Sequence, residues 1–221
     1  MTDNIMENKI IDYISKILPY TTTNLIIRYI GEGLILDICC GDGSQIMRIG
    51  KRKNHTIIGI DIFKPAIKDA KTKAIYDDLI IGDIRFLPIK NKKFDSIIFL
   101  EGLEHISKNE GFILLNTLEN ISMNRIIITT PVGFIEQNEY NENPFQLHKS
   151  YWLPIEFKEK GYKIYPTEFK YPVSSSYPFS FIKMFIRLLL TPFFYPLMIM
   201  NPTKFCSRAV YIKEINEKKS D

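Results

Sequence analysis

The feature that most constrains this chain is a series of short apolar runs separated by longer amphipathic stretches. "GLILDI" (33–38), "TIIGID" (56–61), "LIIGD" (79–83), "FDSIIFL" (94–100) and "RIIITT" (125–130) each read as a strand. Between them, "SQIMRIGKR", "AIKDAKTKA" behind Pro65 and "EGFILLNTLENI" carry helical spacing, with proline favoured in a first helical turn. Continuous apolar strands alternating with helices require a parallel sheet covered on both faces, so the expected class is α/β. Such sheets bind ligands at the carboxyl ends of their strands, and the residues just after each strand are where function is sought.

A chain of 221 residues with 45% apolar content can bury a full core as one domain. A net charge of +4 without a dense basic block does not point to nucleic acid. The cysteines, Cys39, Cys40 and Cys206, include an adjacent pair and suit a reducing compartment better than a disulfide framework. "MTDNIMENKI" lacks the basic start and apolar stretch of a secretory signal, so a cytoplasmic location is expected. The expected organisation is an N-terminal helical segment (1–30), a core (31–172), a hydrophobic insert (173–206), a closing strand (207–216) and a tail (217–221).

The first strand runs into "LDICCGDG", whose glycines let the backbone approach a ligand closely. Position 46 is Ile, which breaks the dinucleotide glycine spacing and argues against a nicotinamide oxidoreductase. Asp61 ends the second strand, where a carboxylate can accept both hydroxyls of a ribose. Asp83 ends the third and suits an exocyclic amine, so the two acids together fit an adenosine ligand. Each could instead be an ordinary helix N-cap. Cys39 and Cys40 have no second Cys or His pair nearby and read as small core residues.

Taken in order, "LDICCGDG", "GIDI", "GDIRFLP", "FDSIIFLEGLEHI" and "TTPVGF" resemble the class I S-adenosylmethionine (SAM)-dependent methyltransferases over residues 30–165. The resemblance implies a Rossmann-like, seven-stranded, mostly parallel sheet with helices on both faces and an antiparallel last strand. It implies SAM as cofactor. The loop around Asp37, Cys39, Gly41 and Gly43 would take its amino-acid end, and Asp61 its ribose with Ile62 against the base. Asp83 would meet the adenine amine beside Ile84, with Glu101 facing the cofactor. Cys39 stands where the family has its first loop glycine, so a positive φ there would strain it.

"LEGLEHI" (100–106) follows the fourth strand, where the SAM methyl should point. If a helix starts here, Glu101, Glu104 and His105 share one face. An oxygen or nitrogen acceptor loses a proton, which calls for a base or a metal. Glu104 and His105 are candidates for the base, and His148 for a second base or a cap. The same pattern with His148 resembles the metal site of small-RNA 2′-O-methyltransferases. By that resemblance Glu101, Glu104, His105 and His148 would hold a divalent cation. The counter-reading is a metal-free pocket whose acids cap a helix start. The loop holding Gly133, Phe134, Gln137, Asn143, Pro144, Gln146, His148, Ser150 and Trp152 resembles methyltransferases of surface-polysaccharide synthesis. It suits a hydroxyl-rich acceptor, or is a surface loop anchored by Phe145 and Trp152.

Residues 177–200 are unusually apolar, with Lys183 and Arg187 on one helical face and Pro192 and Pro196 expected to break the helix. The uncharged run from Leu188 to Met200 is short for a membrane span. Contact with the inner face of a membrane is one expectation, with Lys183, Arg187, Lys204 and Arg208 near headgroups. A homodimer contact and a lid are the others. The expected acceptor is a small, sugar-like or lipid-linked molecule. An RNA acceptor is disfavoured by the lack of a basic stripe, and a catalytically silent adenosine-binding module at a membrane is the non-enzymatic reading.

Overall fold

The computed structural model describes residue 10 and residues 12–87, 89, 93–137, 143–170 and 180–215. Seven strands form one sheet: β1 (Gly33–Ile38), β2 (His55–Asp61), β3 (Asp78–Ile81), β4 (Phe94–Leu100), β5 (Ser122–Pro131), β6 (Lys163–Phe169) and β7 (Cys206–Glu214). Their order is β3-β2-β1-β4-β5-β7-β6. β1 to β5 are mutually parallel. β7 runs antiparallel to both β5 and β6, as expected for the last strand. The order reverses between β1 and β4, which opens a crevice at their carboxyl ends.

Alternate residues of each strand enter opposite layers, so an all-apolar strand feeds two cores at once. In β4, Ile97 and Phe99 face one layer while Ile98 and Leu100 face the other. The helices that cover the sheet are α1 (Thr22–Tyr29), α2 (Ser44–Ile49), α3 (Lys64–Thr72), α4 (Lys108–Ile121), α5 (Pro154–Glu159), α6 (Ser180–Met200) and α7 (Pro202–Phe205). Residues 12–17 are also helical, within the longer helix that the sequence predicts there. α4 starts with a capping box: Ser107 and Glu110 satisfy each other's backbone N–H.

Two sequence expectations fail. Glu101 has φ +51° and precedes a short 3₁₀ turn, Leu103–His105, so "LEGLEHI" does not begin a helix and its three polar residues do not share a helical face. The prolines do not break α6 either, which runs continuously through Pro192 and Pro196. An internal proline costs about 3 kcal/mol, and packing on the inner side of α6 opposes that cost. Phe194 stacks on Phe169 at 4.3 Å, and Met198 is fully buried. Phe169 and Cys206 are register partners, so the segment between them leaves and re-enters the sheet at one point. That point lies at the carboxyl edge, because Arg208 pairs with Pro131 at the end of β5.

Gly111 on α4 lies against the ring of Trp152: a Cβ there would fall 2.4 Å from the indole. Gly111→Ala should therefore destabilise the protein by about 1–3 kcal/mol through overpacking. The gain of about 1 kcal/mol expected for alanine at an exposed helical glycine should be absent. Urea denaturation midpoints decide between the two signs.

Candidate active site

β1 delivers Asp37 into the sheet interior, where it is almost fully buried and its Oδ2 accepts a 2.6 Å hydrogen bond from the Tyr76 hydroxyl. Burial pushes its carboxyl up to about 7. The chain then turns through three left-handed residues, Cys39 (φ +54°), Gly41 (φ +54°) and Gly43 (φ +78°). Cys39 thus carries the strain that its side chain predicts, about 1–2 kcal/mol for a non-glycine residue. The turn is held from behind by Asp61, whose Oδ2 accepts from Gly41 N–H at 2.9 Å and whose Oδ1 accepts from Phe63 N–H at 2.8 Å. Burial raises the Asp61 carboxyl despite those two bonds.

Open space lies above the loop, since a Cβ on Gly41 would meet nothing within 4 Å. Strained backbone, an acid at the end of β2 and free volume over the loop fit the amino-acid and ribose ends of SAM. Ile62 is half-buried beside Asp61, and Ile84 is buried. Asp83 has a different immediate partner. It caps the 3₁₀ turn Ile84–Phe86 and holds the Arg85 guanidinium through both oxygens. The hydrogen bonds from Arg85 keep its carboxyl below the ordinary range.

Across the crevice, β4 leads into Glu101 and the chain passes Cys39 at Gly102. A Cβ on Gly102 would lie 2.9 Å from the Cys39 Cβ and 2.5 Å from the Phe99 ring, so only glycine lets the two strand ends pass. Glu104 is then turned inward and buried, its Oε2 accepting from Thr130 Oγ1 at 3.1 Å. Burial first, and the Glu101 carboxylate second, raise its pKa. Its backbone carbonyl receives Lys149 N–H at 2.8 Å and Ser150 N–H at 3.1 Å, which brings the distant loop to the site.

That loop places His148 against His105, ring centroids 5.0 Å apart. Glu104, His105 and His148 each offer one donor atom, and these lie within 4.8 Å of one another. His105 Nδ1 lies 3.3 Å from the Leu147 carbonyl and His148 Nδ1 lies 2.6 Å from the Ile135 carbonyl. A carbonyl can only accept, so both Nδ1 atoms carry protons and both Nε2 atoms keep lone pairs in the neutral rings. Burial lowers the His105 pKa, which favours that neutral form. The donor set of two imidazoles and a carboxylate fits Mn²⁺, Fe²⁺, Co²⁺ or Zn²⁺ by its chemistry.

Glu101 stands apart from that trio. Its Oε2 accepts from Arg208 Nε at 3.0 Å, while its Oε1 is buried without a partner among the described residues. Arg208 also pairs with Glu168 at 2.7 Å. It faces the site, a correction to its expected place near lipid headgroups, and the reason is the two carboxylates that neutralise it. The side chains of Lys183 and Arg187 lie outside the described residues. Trp152 anchors the loop as expected: it is fully buried and its indole N–H donates to Ser150 Oγ at 3.0 Å. Phe145 does not, being 38% exposed. Tyr76 and Arg208 are the functional neighbours that sequence reasoning missed. The three cysteines are free thiols.

Residues 35–120 match the methyltransferase domain family. An uncharacterized protein of Methanocaldococcus jannaschii, MJ1252, is 33% identical over 95 residues, 42% of this chain; the match spans only 36% of that relative's length. A SAM-dependent methyltransferase from Archaeoglobus fulgidus superposes with TM-score 0.54 at 19% identity, over 96% of this chain and 93% of that one. The plantazolicin methyltransferase BpumL, solved with S-adenosylhomocysteine, gives 0.53 at 18% identity, over 97% and 89%. The small RNA methyltransferase HEN1 gives 0.56 at 14% identity, over 89% of this chain and 25% of that one. The sheet topology and these superpositions give the chain a Rossmann-like methyltransferase fold, within which residues 35–120 carry the methyltransferase-domain match.

Asp37 supplies a pH test of this geometry. Its folded pKa of about 7 lies above the ordinary 3.8, so the folded chain holds the proton more tightly and loses stability as pH rises through that window. Asp37→Asn has no such proton to lose. Its melting temperature relative to the wild type should climb from pH 4 to pH 7, and a flat difference would contradict a buried neutral acid.

Proposed function

We propose that this chain transfers a methyl group from SAM to a hydroxyl of a small, sugar-like or lipid-linked acceptor. When bound, SAM supplies an electrophilic methyl on a sulfonium with a neutral leaving group. On this reading the loop at Cys39, Gly41 and Gly43 holds its amino-acid end, Asp61 its ribose, and Asp83 with Ile84 its base. The carrying observation is the pair of imidazoles clustered with buried Glu104, their Nδ1 atoms held at backbone carbonyls.

A transferring hydroxyl must be aligned with the methyl and lose its proton. His105, neutral and half-buried, takes that proton at Nε2. Glu104 stands beside the ring, where its carboxylate form stabilises the positive charge that develops. Glu104 is itself buried away from water. A second reading rests on the same donor atoms: Glu104, His105 and His148 hold a divalent cation that acidifies the hydroxyl. The resemblance to small-RNA 2′-O-methyltransferases and the HEN1 superposition support that variant and keep an RNA hydroxyl within range.

Calorimetric titration with S-adenosylhomocysteine should give micromolar binding, with no heat from NAD. His105→Ala and Glu104→Gln should each lower turnover by about 10²–10⁴-fold on an active hydroxyl acceptor, with S-adenosylhomocysteine affinity kept within a few-fold. Loss of turnover with chelator and its return with Mn²⁺ would select the metal variant, and insensitivity to chelator the imidazole base. Absence of S-adenosylhomocysteine binding would overturn both.

A further inference from the structure

α6 shows an apolar side to solvent that the sheet does not need. Its inner residues Leu190, Phe194, Tyr195 and Met198 pack on the core. Its outer residues Ile186, Leu189, Phe193, Leu197 and Met200 recur at intervals of three and four, so they form one stripe. Phe193 is 80% exposed and Met200 81%, values unusual for such side chains on a surface helix. At about 1.5 Å per residue, the stripe from Ile186 to Met200 runs for roughly 20 Å.

The surroundings of the stripe say what covers it. From Lys170 to Ser207, the segment that carries α6 and α7, the sequence contains Lys170, Lys183, Arg187 and Lys204 and not one Asp or Glu. Lys204, just past the end of α6, is exposed. A second copy docking through this stripe would set cationic flanks against each other. An anionic lipid surface complements them. The exposed prolines point the same way. Pro192 and Pro196 have no N–H for the carbonyls of Leu188 and Pro192, so helix bonding is weakened along this part of α6. A dry protein interface would leave such carbonyls costly, whereas the headgroup layer is hydrated. Among the described residues no helix is long and apolar enough to cross a membrane, so α6 is suited to lie along the surface.

We propose that the outer face of α6 docks this protein on an anionic phospholipid bilayer, with the helix lying in the interface. The dock is continuous with the candidate active site. α6 and α7 feed β7 at the carboxyl edge of the sheet, where Ser207 O accepts from Val132 N–H at 3.0 Å. From there the chain runs on past exposed Phe134 and Ile135, whose carbonyl fixes His148. A membrane contact at α6 therefore turns the acceptor mouth toward molecules held in that membrane. The docking itself does not depend on methyl transfer.

Cosedimentation of the full chain with phosphatidylcholine vesicles, with and without phosphatidylglycerol, tests it. Wild type should bind the phosphatidylglycerol vesicles and release at high salt. Phe193→Glu with Leu197→Glu should weaken binding by at least about tenfold, and Lys204→Glu by about fivefold. Both sets of substitutions are at exposed positions and should leave circular dichroism and S-adenosylhomocysteine affinity unchanged. Three results would overturn the proposal: no vesicle binding by wild type, equal binding by the double variant, or a wild-type dimer in light scattering that the double variant converts to monomer.

Discussion

The burial of Trp152 is the interaction on which the acceptor side of this molecule depends. Its ring fills the notch left by Gly111 and packs edge-on to Phe112 and against Phe157, which in turn stacks on Tyr211 of β7 at 3.7 Å. Its N–H is satisfied by Ser150, whose hydroxyl lies 3.3 Å from the Leu103 carbonyl. Its own carbonyl receives Gly133 N–H at 2.9 Å. One residue, through its ring and its backbone carbonyl, thus joins α4, the 3₁₀ turn after β4, the exit of β5 and the last strand. Burying a tryptophan of about 200 Å² is worth roughly 5 kcal/mol by area. Because the indole is fixed, the backbone of residues 147–150 is fixed as well, and with it the imidazole pair.

Charge follows the same logic of mutual constraint. Glu101 and Glu104 sit close together at the end of β4, and two carboxylates there repel. Arg208 comes across from β7 to Glu101 and is balanced by Glu168 from β6. Glu101 thus has a cationic partner, while Glu104, hydrogen-bonded to Thr130 and screened from water, has its ionisation disfavoured. Two chemically identical side chains three residues apart therefore have different surroundings, one beside a guanidinium and the other buried against a threonine hydroxyl.

The sheet was readable because parallel strands are buried on both faces and so appear as unbroken apolar runs. All five parallel segments, 33–38 through 125–130, fall within a few residues of the observed strands. The loop at Cys39, Gly41 and Gly43 was readable because glycine density has a local backbone cause, and the strain at Cys39 followed from its side chain alone. What escaped is non-local. The Tyr76 bond to Asp37 spans 39 positions and the Arg208 bond to Glu101 spans 107, distances over which sequence carries no pairing signal. The 3₁₀ turn at Leu103–His105 escaped because Glu101 adopts a left-handed conformation that glutamate seldom takes. The persistence of α6 through two prolines escaped because tertiary packing overrode local propensity.

The register pairing of Phe169 with Cys206 has a further consequence. Since those two residues are neighbours on one ladder, the sheet fixes only the two ends of whatever joins them. The intervening chain is free to differ in length and character while β6, β7 and the Arg208 ion pairs keep their places. Such an arrangement separates two kinds of evolutionary change. The interior of the sheet can be held constant to preserve the chemistry, while the joined segment drifts to suit a new surrounding. In this chain that exchangeable piece carries α6 and α7, and its junction lies only two residues from the arginine that pairs with Glu101.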